Sequence, residues 1–160
     1  LAAAAVARDL GSTPAQIARA LRRVAPPKHR LEPIVNEAGG IVVIDDSYNS
    51  NPIGAAAALK VLQAHEAGRR ILVTPGMVEL GPQEAEENRR LGELAAAVCD
   101  VCLLSGPLAA HIRAGLLDGG LDESRIIVAP DGPSLHAELT KLSRRGDVIL
   151  FENDLPDVYA

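Results

Sequence analysis

The chain has 160 residues, of which 48% are hydrophobic and 2% aromatic, and it carries a formal net charge of -5. This length fits one domain with an appendage, and its core must be built from Leu, Ile, Val and Ala. The acidic balance and the lack of a basic stripe argue against a nucleic-acid partner. No apolar run approaches the roughly 20 residues that a membrane-spanning helix needs.

Two short helices are predicted at the start of the chain. The first covers residues 1–10 and ends at Gly11, and the second begins at Thr13, which can form a capping box with Gln16. Residues 25–28, Ala-Pro-Pro-Lys, then break the helical pattern and are typical of a stiff connector between domains. Because the sequence begins with Leu1 and not with Met, we expect it to be part of a longer protein.

From residue 30 onwards the pattern is that of an α/β sheet. Residues 30–37 predict a strand, and Pro33 confines it to a sheet edge, where it would pair antiparallel. Apolar strands then alternate with helices: strands at 41–44, 71–74, 101–104, 126–129 and 148–151, and helices at 52–64, 83–98, 107–117 and 134–142, the last with Asp131 or Ser134 as its cap. This alternation predicts a mostly parallel sheet of about six strands with one antiparallel edge strand and helices on both faces.

The loop richest in chemical groups follows the strand at 41–44. It reads Asp45-Asp46-Ser47-Tyr48-Asn49-Ser50-Asn51-Pro52, and ligands of open α/β sheets bind where a strand ends and a helix begins. The two acids could bind a metal, take a phosphoryl group or accept hydrogen bonds from a ribose diol. Turn and cap preferences explain Asn51 and Pro52 but not the acids, Tyr48 or Asn49, so we interpret the loop as functional.

The other chemical signals are weaker. The loop at 74–81 offers the carboxylate of Glu79, and a binding role and a plain loop fit its sequence about equally well. Cys99 and Cys102 have no second pair to complete a zinc site, which favours a packing role. The four histidines have no metal-ligand spacing, and we predict no metal site in these residues.

Neither of the common phosphate-binding glycine motifs occurs in the 160 residues. There is no Gly-x-Gly-x-x-Gly after the first parallel strand, and no Gly-x-x-x-x-Gly-Lys-[Ser/Thr] anywhere. A nucleotide bound by this chain would therefore need its phosphates held by another part of the protein.

Three stretches of the sequence resemble the C-terminal domain of the Mur ligase family. They are the loop at 45–52, Pro27-Lys28-His29-Arg30-Leu31-Glu32, and Gly76-Met77-Val78-Glu79-Leu80-Gly81. The likeness is strongest to the branch that adds D-alanyl-D-alanine to a UDP-N-acetylmuramoyl (UDP-MurNAc) tripeptide. It implies that residues 1–26 are the last helices of a central ATPase domain and that residues 27–160 form a Rossmann-like C-terminal domain.

The resemblance also implies an activity, that of a cytoplasmic, ATP-dependent amide ligase of peptidoglycan precursor synthesis, which serves cell-wall formation, cell shape and division. ATP phosphorylates the carboxylate of a UDP-MurNAc-peptide, and the amine of an amino acid or dipeptide attacks the acyl phosphate. The phosphate loop and the Mg²⁺ ligands belong to the central domain, over which the C-terminal domain closes. We therefore expect this chain to be inactive alone and to work with its own N-terminal and central domains in a monomer.

Individual roles follow from the resemblance by position. Arg30 matches the arginine that reaches ATP, and Asp46 matches the aspartate that binds the ribose hydroxyls. Four residues fall where the family shapes the pocket for the amine substrate, although the last of them also suits a helix cap: Tyr48, Asn49, Ser50 and Asn51.

The sequence departs from the family pattern in four places. His29 replaces a Gly, Gly76 replaces an Asp, and Asn88 stands where His is common. Residues 151–157, Phe-Glu-Asn-Asp-Leu-Pro-Asp, replace a Lys-Gly-Ser-like ending in a loop that faces the substrate. The sequence therefore leaves the identity of the amine substrate open.

Two alternatives to the ligase interpretation are a receiver-like signalling domain and a non-catalytic nucleotide-binding module. A receiver needs a phosphorylatable Asp at the end of a later strand and a Lys after another. The next two predicted strands end in Thr74 and Leu104, so this constellation is missing.

Overall fold

The computed structural model describes residues 2–24, 27–66 and 68–153. It begins with two short helices, α1 (Ala2–Asp9) and α2 (Pro14–Leu21). The predicted capping box is confirmed: Thr13 Oγ1 accepts from the Gln16 amide, while the Thr13 amide donates to Gln16 Oε1 at 2.8 Å. None of the residues of α1 and α2 is buried. The first two residues of the predicted connector, 25 and 26, lie outside the described residues.

The remaining elements follow the predicted alternation. They are β1 (Glu32–Asn36), β2 (Ile41–Asp46), α3 (Pro52–Ala64), β3 (Arg69–Thr74), α4 (Glu84–Ala96), β4 (Val101–Ser105), α5 (Ala109–Asp118), β5 (Ile126–Ala129), α6 (Gly132–Leu142) and β6 (Asp147–Glu152). Helix α6 begins two residues earlier than predicted because Asp131, and not Ser134, is its cap and accepts from the Ser134 amide. Within the described ranges, no helix combines the length and the apolar character needed to cross a bilayer.

The six strands form one sheet in the order β1-β2-β6-β3-β4-β5. Strand β1 pairs with β2 antiparallel, and all other pairs are parallel. This confirms the predicted mixed sheet with an antiparallel edge strand, and Pro33 lies in that edge strand opposite Ile44.

Strand β6 comes last among the described elements but lies in the middle of the sheet. The chain crosses from β2 to β3 and leaves a gap one strand wide, which β6 later fills by pairing with both neighbours. At the amino ends of these strands, Arg69 makes a bidentate ion pair with Asp147, with its closest contact at 2.7 Å. Asp147 is only 1% exposed and also accepts from the Arg144 amide, so a buried charge is fully paired where β3 meets β6.

Helices cover both faces of the sheet, as predicted, but unequally. The larger core cluster joins one face to α3, α4 and α5, and it includes Ile44 and Leu150. The smaller cluster joins the other face to α6. Cys99 and Cys102 are buried in the larger cluster and are not bridged. A hydrogen bond with Cys99 and burial raise the pKa of the Cys102 thiol, as suits a packing residue.

One buried amide side chain holds the loop after β3. Asn88 Oδ1 accepts from the Met77 amide at 2.8 Å, and its Nδ2 donates to the carbonyls of Met77 and Glu84. Gly76, at a φ of 98°, leaves room for this side chain, since a Cβ there would lie 2.7 Å from Asn88 Oδ1. Two of the departures from the family pattern, Gly76 and Asn88, are therefore in contact and complementary.

Gly76→Ala is expected to lower the free energy of unfolding by about 2 to 4 kcal/mol, because a methyl group adds overlap to an unfavourable backbone angle. Urea denaturation measures the loss. Gly81→Ala is the matched control, since Gly81 also has a positive φ, of 56°, but has open space around it. Strain alone should cost the control about 1 kcal/mol, and equal losses in the two variants would contradict the packing argument.

Candidate active site

The polar loop predicted as functional lies at the carboxyl ends of β2 and β6, which are adjacent strands. Side chains alternate between the faces of a strand, so the neighbouring acids of β2 point in opposite directions. Asp45 shares the α6 face with Val43 and lines a large cavity there. Asp46 shares the α3 face with Ile44, whose side chain is in the larger core cluster. The two acids therefore serve two different sides of the sheet.

Asp45 is bound to the segment that precedes β1. His29 Nδ1 donates to Asp45 Oδ2 at 2.8 Å, and the Ser47 hydroxyl donates to Asp45 Oδ1 at 2.6 Å. Burial raises the pKa of the Asp45 carboxyl, but the hydrogen bonds from Ser47 and His29 outweigh it, and the net pKa lies below its ordinary value. Asp45 is therefore an ionised anchor for His29 at neutral pH.

Asp46 is bound to the same segment from the other face. Its Oδ1 accepts from the Leu31 amide at 3.0 Å. Burial raises the pKa of the Asp46 carboxyl above its ordinary value, while the Leu31 hydrogen bond and the charge of Arg30 act in the opposite direction. The residue as a whole is half-buried.

Arg30 lies between two residues with left-handed backbone angles, His29 at a φ of 59° and Leu31 at 50°. Such angles cost about 1 kcal/mol each in a non-glycine residue and persist only where the surroundings impose them. Here Asp45 binds the His29 ring, Glu32 accepts from the His29 amide, and Asp46 accepts from the Leu31 amide. The position of His29 is thus one that favours glycine, and the histidine ring compensates with its bond to Asp45.

The fixed segment brings Arg30 onto an aromatic ring. The Arg30 guanidinium carbon lies 4.3 Å from the centroid of the Tyr48 ring, and the Tyr48 amide donates to the His29 carbonyl at 3.2 Å. Cation–π contact restrains both exposed side chains. The structure therefore brings together three of the predicted site residues, Arg30, Asp46 and Tyr48.

Glu152 was not predicted as a site residue, yet it is the most buried charged group at this edge, at 1% exposure. It lies opposite Asp46 in the β2–β6 register, and the Ser50 hydroxyl donates to its Oε1 at 2.5 Å. Burial, together with the neighbouring Asp46 carboxylate, raises the pKa of Glu152 to about 7 although the Ser50 bond lowers it. The two-residue alternation of β6 could have predicted this burial, since it puts Glu152 on the same face as the buried Leu150.

The other predicted residues of the loop after β2 differ in what they contact. Ser50 is buried and bound to Glu152. Asn51 is the N-cap of α3 and accepts from the amides of Ile53 and Gly54. Tyr48 and Asn49 are exposed. The helix cap already uses the side-chain oxygen of Asn51. The substrate roles of these four residues stay predictions.

Glu79 lies in the neighbouring loop after β3, exposed and with a φ of 64°. That loop is tied to the site by Asn153, whose Nδ2 donates to the Gly76 carbonyl at 2.6 Å and whose amide donates to the Asp46 carbonyl. Asn153 itself has a left-handed φ of 63°. The ends of β2, β3 and β6 are therefore joined through one residue after β6. The segment 151–157 departs from the family pattern, and its residues 154–157 lie outside the described residues.

A cavity of about 940 Å³ opens on the α6 face beside the Asp45–His29 pair. Its floor is apolar and includes Val43, Val73 and Phe151. Its rim is polar and includes Asp131 and His136, the latter stacked on Phe151 with ring centroids 5.7 Å apart. A cavity of this size and character accommodates a small ligand with an apolar body and polar ends.

No three His, Cys, Asp or Glu side chains cluster as a metal site would require, in the part of the chain that the structure describes. Strands β3 and β4 end in Thr74 and Ser105. The acidic and basic residues that a receiver domain needs at these strand ends are thus replaced by hydroxyl side chains. The geometry of the edge instead suits ligand binding through Arg30, Asp46 and Tyr48.

The fold is that of the doubly wound α/β domains, which bind ligands at the carboxyl edge of the sheet, where this chain has its polar loop. The family model described as "Mur ligase, glutamate ligase domain" matches residues 29–152, and the chain belongs to the Mur ligase family. The family and the fold expected from the resemblance are both confirmed.

Relatives and solved structures agree on this assignment. The UDP-N-acetylmuramoyl-tripeptide--D-alanyl-D-alanine ligase of Mycobacterium tuberculosis is 36% identical over 173 aligned positions, covering 94% of this chain and 33% of that protein. The UDP-N-acetylmuramoylalanine--D-glutamate ligase of Rubrobacter xylanophilus is 34% identical over 152 positions, covering 94% and 31%. MurF from Thermotoga maritima, solved in complex with ADP, superimposes with a TM-score of 0.76 at 25% identity, covering 94% and 32%. The chain thus spans about a third of the length of the curated relatives it matches.

The buried carboxyl of Glu152 predicts a pH dependence of stability. Its pKa is raised from 4.5 to about 7, so between these values the folded protein holds a proton that the unfolded chain releases. The free energy of unfolding should therefore fall as pH rises across this window, by about 3 kcal/mol in total. Urea denaturation at several pH values measures it.

The variant Glu152→Gln should flatten this pH dependence, because glutamine does not titrate. Glu37→Gln, at an exposed turn at the opposite end of β2, is the control and should keep the wild-type slope. A wild-type slope in Glu152→Gln would show that another group binds the proton.

Proposed function

We propose that this chain is the C-terminal domain of a cytoplasmic, ATP-dependent ligase that joins an amine to a UDP-MurNAc-peptide in peptidoglycan precursor synthesis. The observation that carries the proposal is the assembly of Arg30, Asp46 and Tyr48 at one strand edge, in a chain of the Mur ligase family. The domain completes a nucleotide site and brings in the amine substrate, while the chemistry at the phosphates takes place on other domains of the whole ligase.

Asp46 suits the ribose of a nucleotide, and Arg30 suits its phosphates. A half-buried carboxylate offers two acceptor oxygens to the two hydroxyls of a ribose, and the exposed guanidinium of Arg30 is accessible to phosphate oxygens. The 160 residues contain no phosphate-binding glycine loop. In the proposal, the central domain therefore supplies the phosphate loop and the residues that bind Mg²⁺, which neutralises phosphate charge when bound.

The proposed reaction forms one amide bond for each ATP cleaved. The carboxylate of the UDP-MurNAc-peptide attacks the γ-phosphorus, ADP leaves, and the amine then attacks the acyl carbon, loses a proton and displaces phosphate. This chain would orient the nucleotide and the amine and exclude water on closure. Its partners are thus ATP, the UDP-MurNAc-peptide, the amine substrate and the other domains of its own monomer.

We propose D-alanyl-D-alanine, or a related small dipeptide, as the amine substrate. The cavity beside the site has an apolar floor for methyl-sized side chains, and its rim carries the carboxylates of Asp45 and Asp131. Hydrogen bonds from Ser134 lower the pKa of Asp131, so both rim acids are ionised at neutral pH. Such a rim favours an ammonium group and disfavours a substrate with two carboxylates, such as glutamate.

The loop after β2 continues from this cavity into the predicted substrate residues. Ser47 lines the cavity, and the exposed Tyr48 and Asn49 follow it directly. We propose that these two side chains contact the amine substrate from outside the cavity, with Ser50 and Asn51 shaping the loop behind them. Glu79, in the loop after β3, is a further candidate for the same substrate.

Residues 1–26 are proposed to be the last helices of the central domain. Four apolar side chains of this region are more than half exposed in the described chain: Val6, Leu10, Leu21 and Val24. Helices that bury none of their own residues need an apolar surface to pack against, and a preceding domain would provide it.

Asp46→Ala in the whole ligase is expected to raise the KM for ATP about tenfold or more, because a charge-assisted contact to the ribose is lost. Phosphate release at varied ATP concentration measures it. Asp118→Ala removes an exposed carboxylate of α5 that is paired with Arg89 and should leave the KM unchanged. An unchanged KM in Asp46→Ala would remove Asp46 from the ribose role.

The purified chain of 160 residues is expected to hydrolyse no ATP, with or without a UDP-MurNAc-peptide, because it lacks a phosphate-binding loop. The same phosphate-release assay tests this against a buffer blank. Turnover above the blank that co-purifies with the chain would show that the chain holds a complete active site.

A further inference from the structure

We propose that Glu152 is a positioning residue of the nucleotide site, whose carboxyl shares one proton with that of Asp46 and so holds the Asp46 carboxylate in place. The nucleotide role of Asp46 rests on the proposed function. The shared proton rests on the local geometry and does not depend on the nucleotide role.

The geometry places the two carboxyl groups against each other. Asp46 and Glu152 are register partners on adjacent parallel strands, and both side chains lie on the face covered by α3. The Ser50 hydroxyl occupies Glu152 Oε1. Glu152 Oε2 is enclosed and receives no hydrogen bond from the described residues. The Asp46 and Glu152 carboxyl groups interact, and two carboxyl groups form a hydrogen bond only if one of them carries a proton.

The charged and polar groups around Glu152 favour this shared proton. On β2 the neighbour is Asp46, and in the loop after β2 it is Ser50. On the other side, β3 ends in the uncharged Thr74, and α3 begins with the uncharged Asn51-Pro52-Ile53. The positive charge of Arg30 acts on Asp46. The proton therefore belongs on the more buried Glu152, and the negative charge on Asp46 beside Arg30.

This arrangement makes the orientation of Asp46 depend on pH. With the proton present, Glu152 donates to Asp46 while accepting from Ser50, and Asp46 is held between Glu152 and the Leu31 amide. Without it, two adjacent carboxylates repel each other in a poorly solvated place. The pKa of Glu152, about 7, puts this change within the neutral range. Nucleotide affinity should therefore fall as pH rises above 7.

The test is the pH dependence of ADP binding by the whole ligase, measured by calorimetry between pH 6 and pH 8.5. In the wild type the Kd for ADP should rise by up to about thirtyfold across this range, because the linked loss of one proton allows about tenfold for each pH unit above a pKa of about 7. Glu152→Gln should bind at every pH as the wild type does at pH 6, because the amide donates to Asp46 and accepts from Ser50 without titrating. The control Glu37→Gln should follow the wild type.

A Glu152→Gln curve parallel to that of the wild type would overturn the positioning role. Absence of ADP binding in all three proteins would overturn the nucleotide role together with the proposed function. The shared proton is then decided by ¹³C NMR titration of the Glu152 carboxyl in wild type and Asp46→Asn. Its pKa should be lower in Asp46→Asn, since the repulsion is removed, and equal pKa values would overturn the shared proton.

Discussion

The insertion of β6 between β2 and β3 is the constraint on which the site depends. It puts Glu152 opposite Asp46 and lets Asn153 bond to both the Asp46 carbonyl and the Gly76 carbonyl. The buried Arg69–Asp147 pair aligns β3 and β6 at the opposite ends of the strands. A shift of β6 by one residue would turn Glu152 to the other face and leave Asp147 without its guanidinium. The polar edge is therefore fixed by the register of an apolar strand.

A second constraint is the two-residue period of β2. Asp45 and Asp46 are neighbours in sequence but act on opposite faces, where they hold the residues on either side of Arg30. Together with Glu32, which accepts from the His29 amide, they hold a segment that contains two left-handed residues. The pair of acids is thus first a clamp on the Arg30 segment. The ligand contacts proposed for these acids use the same carboxylates that hold the Arg30 segment.

Features decided by near neighbours in the sequence were predictable. The capping box of Thr13 and Gln16, the N-cap at Asn51 and the edge position of Pro33 each follow from a few adjacent residues, and each is found in the structure. The family resemblance added Arg30 and Asp46, which the structure brings to one edge. These features need no knowledge of the strand order.

Features decided by distant residues were not predictable. The burial of Glu152 depends on β2 and Ser50, about a hundred positions earlier in the chain, and an acid at a strand end is ordinarily solvated. The position of the His29 ring depends on Asp45, and the fit of Gly76 depends on Asn88. In each case the contact joins residues from separate parts of the chain. The sequence pattern within either part therefore does not predict it.

The late position of β6 in the sequence also orders events during protein synthesis. Strands β2 and β3 leave the ribosome long before residues 147–152, and until then each has an unpaired edge where β6 will lie. Such apolar edges are sites for pairing with other chains, and contacts of high sequence separation form slowly. The domain therefore passes through an interval in which its two central edges are open to aggregation. The polar cluster of Asp46, Ser50 and Glu152 assembles only as that interval closes.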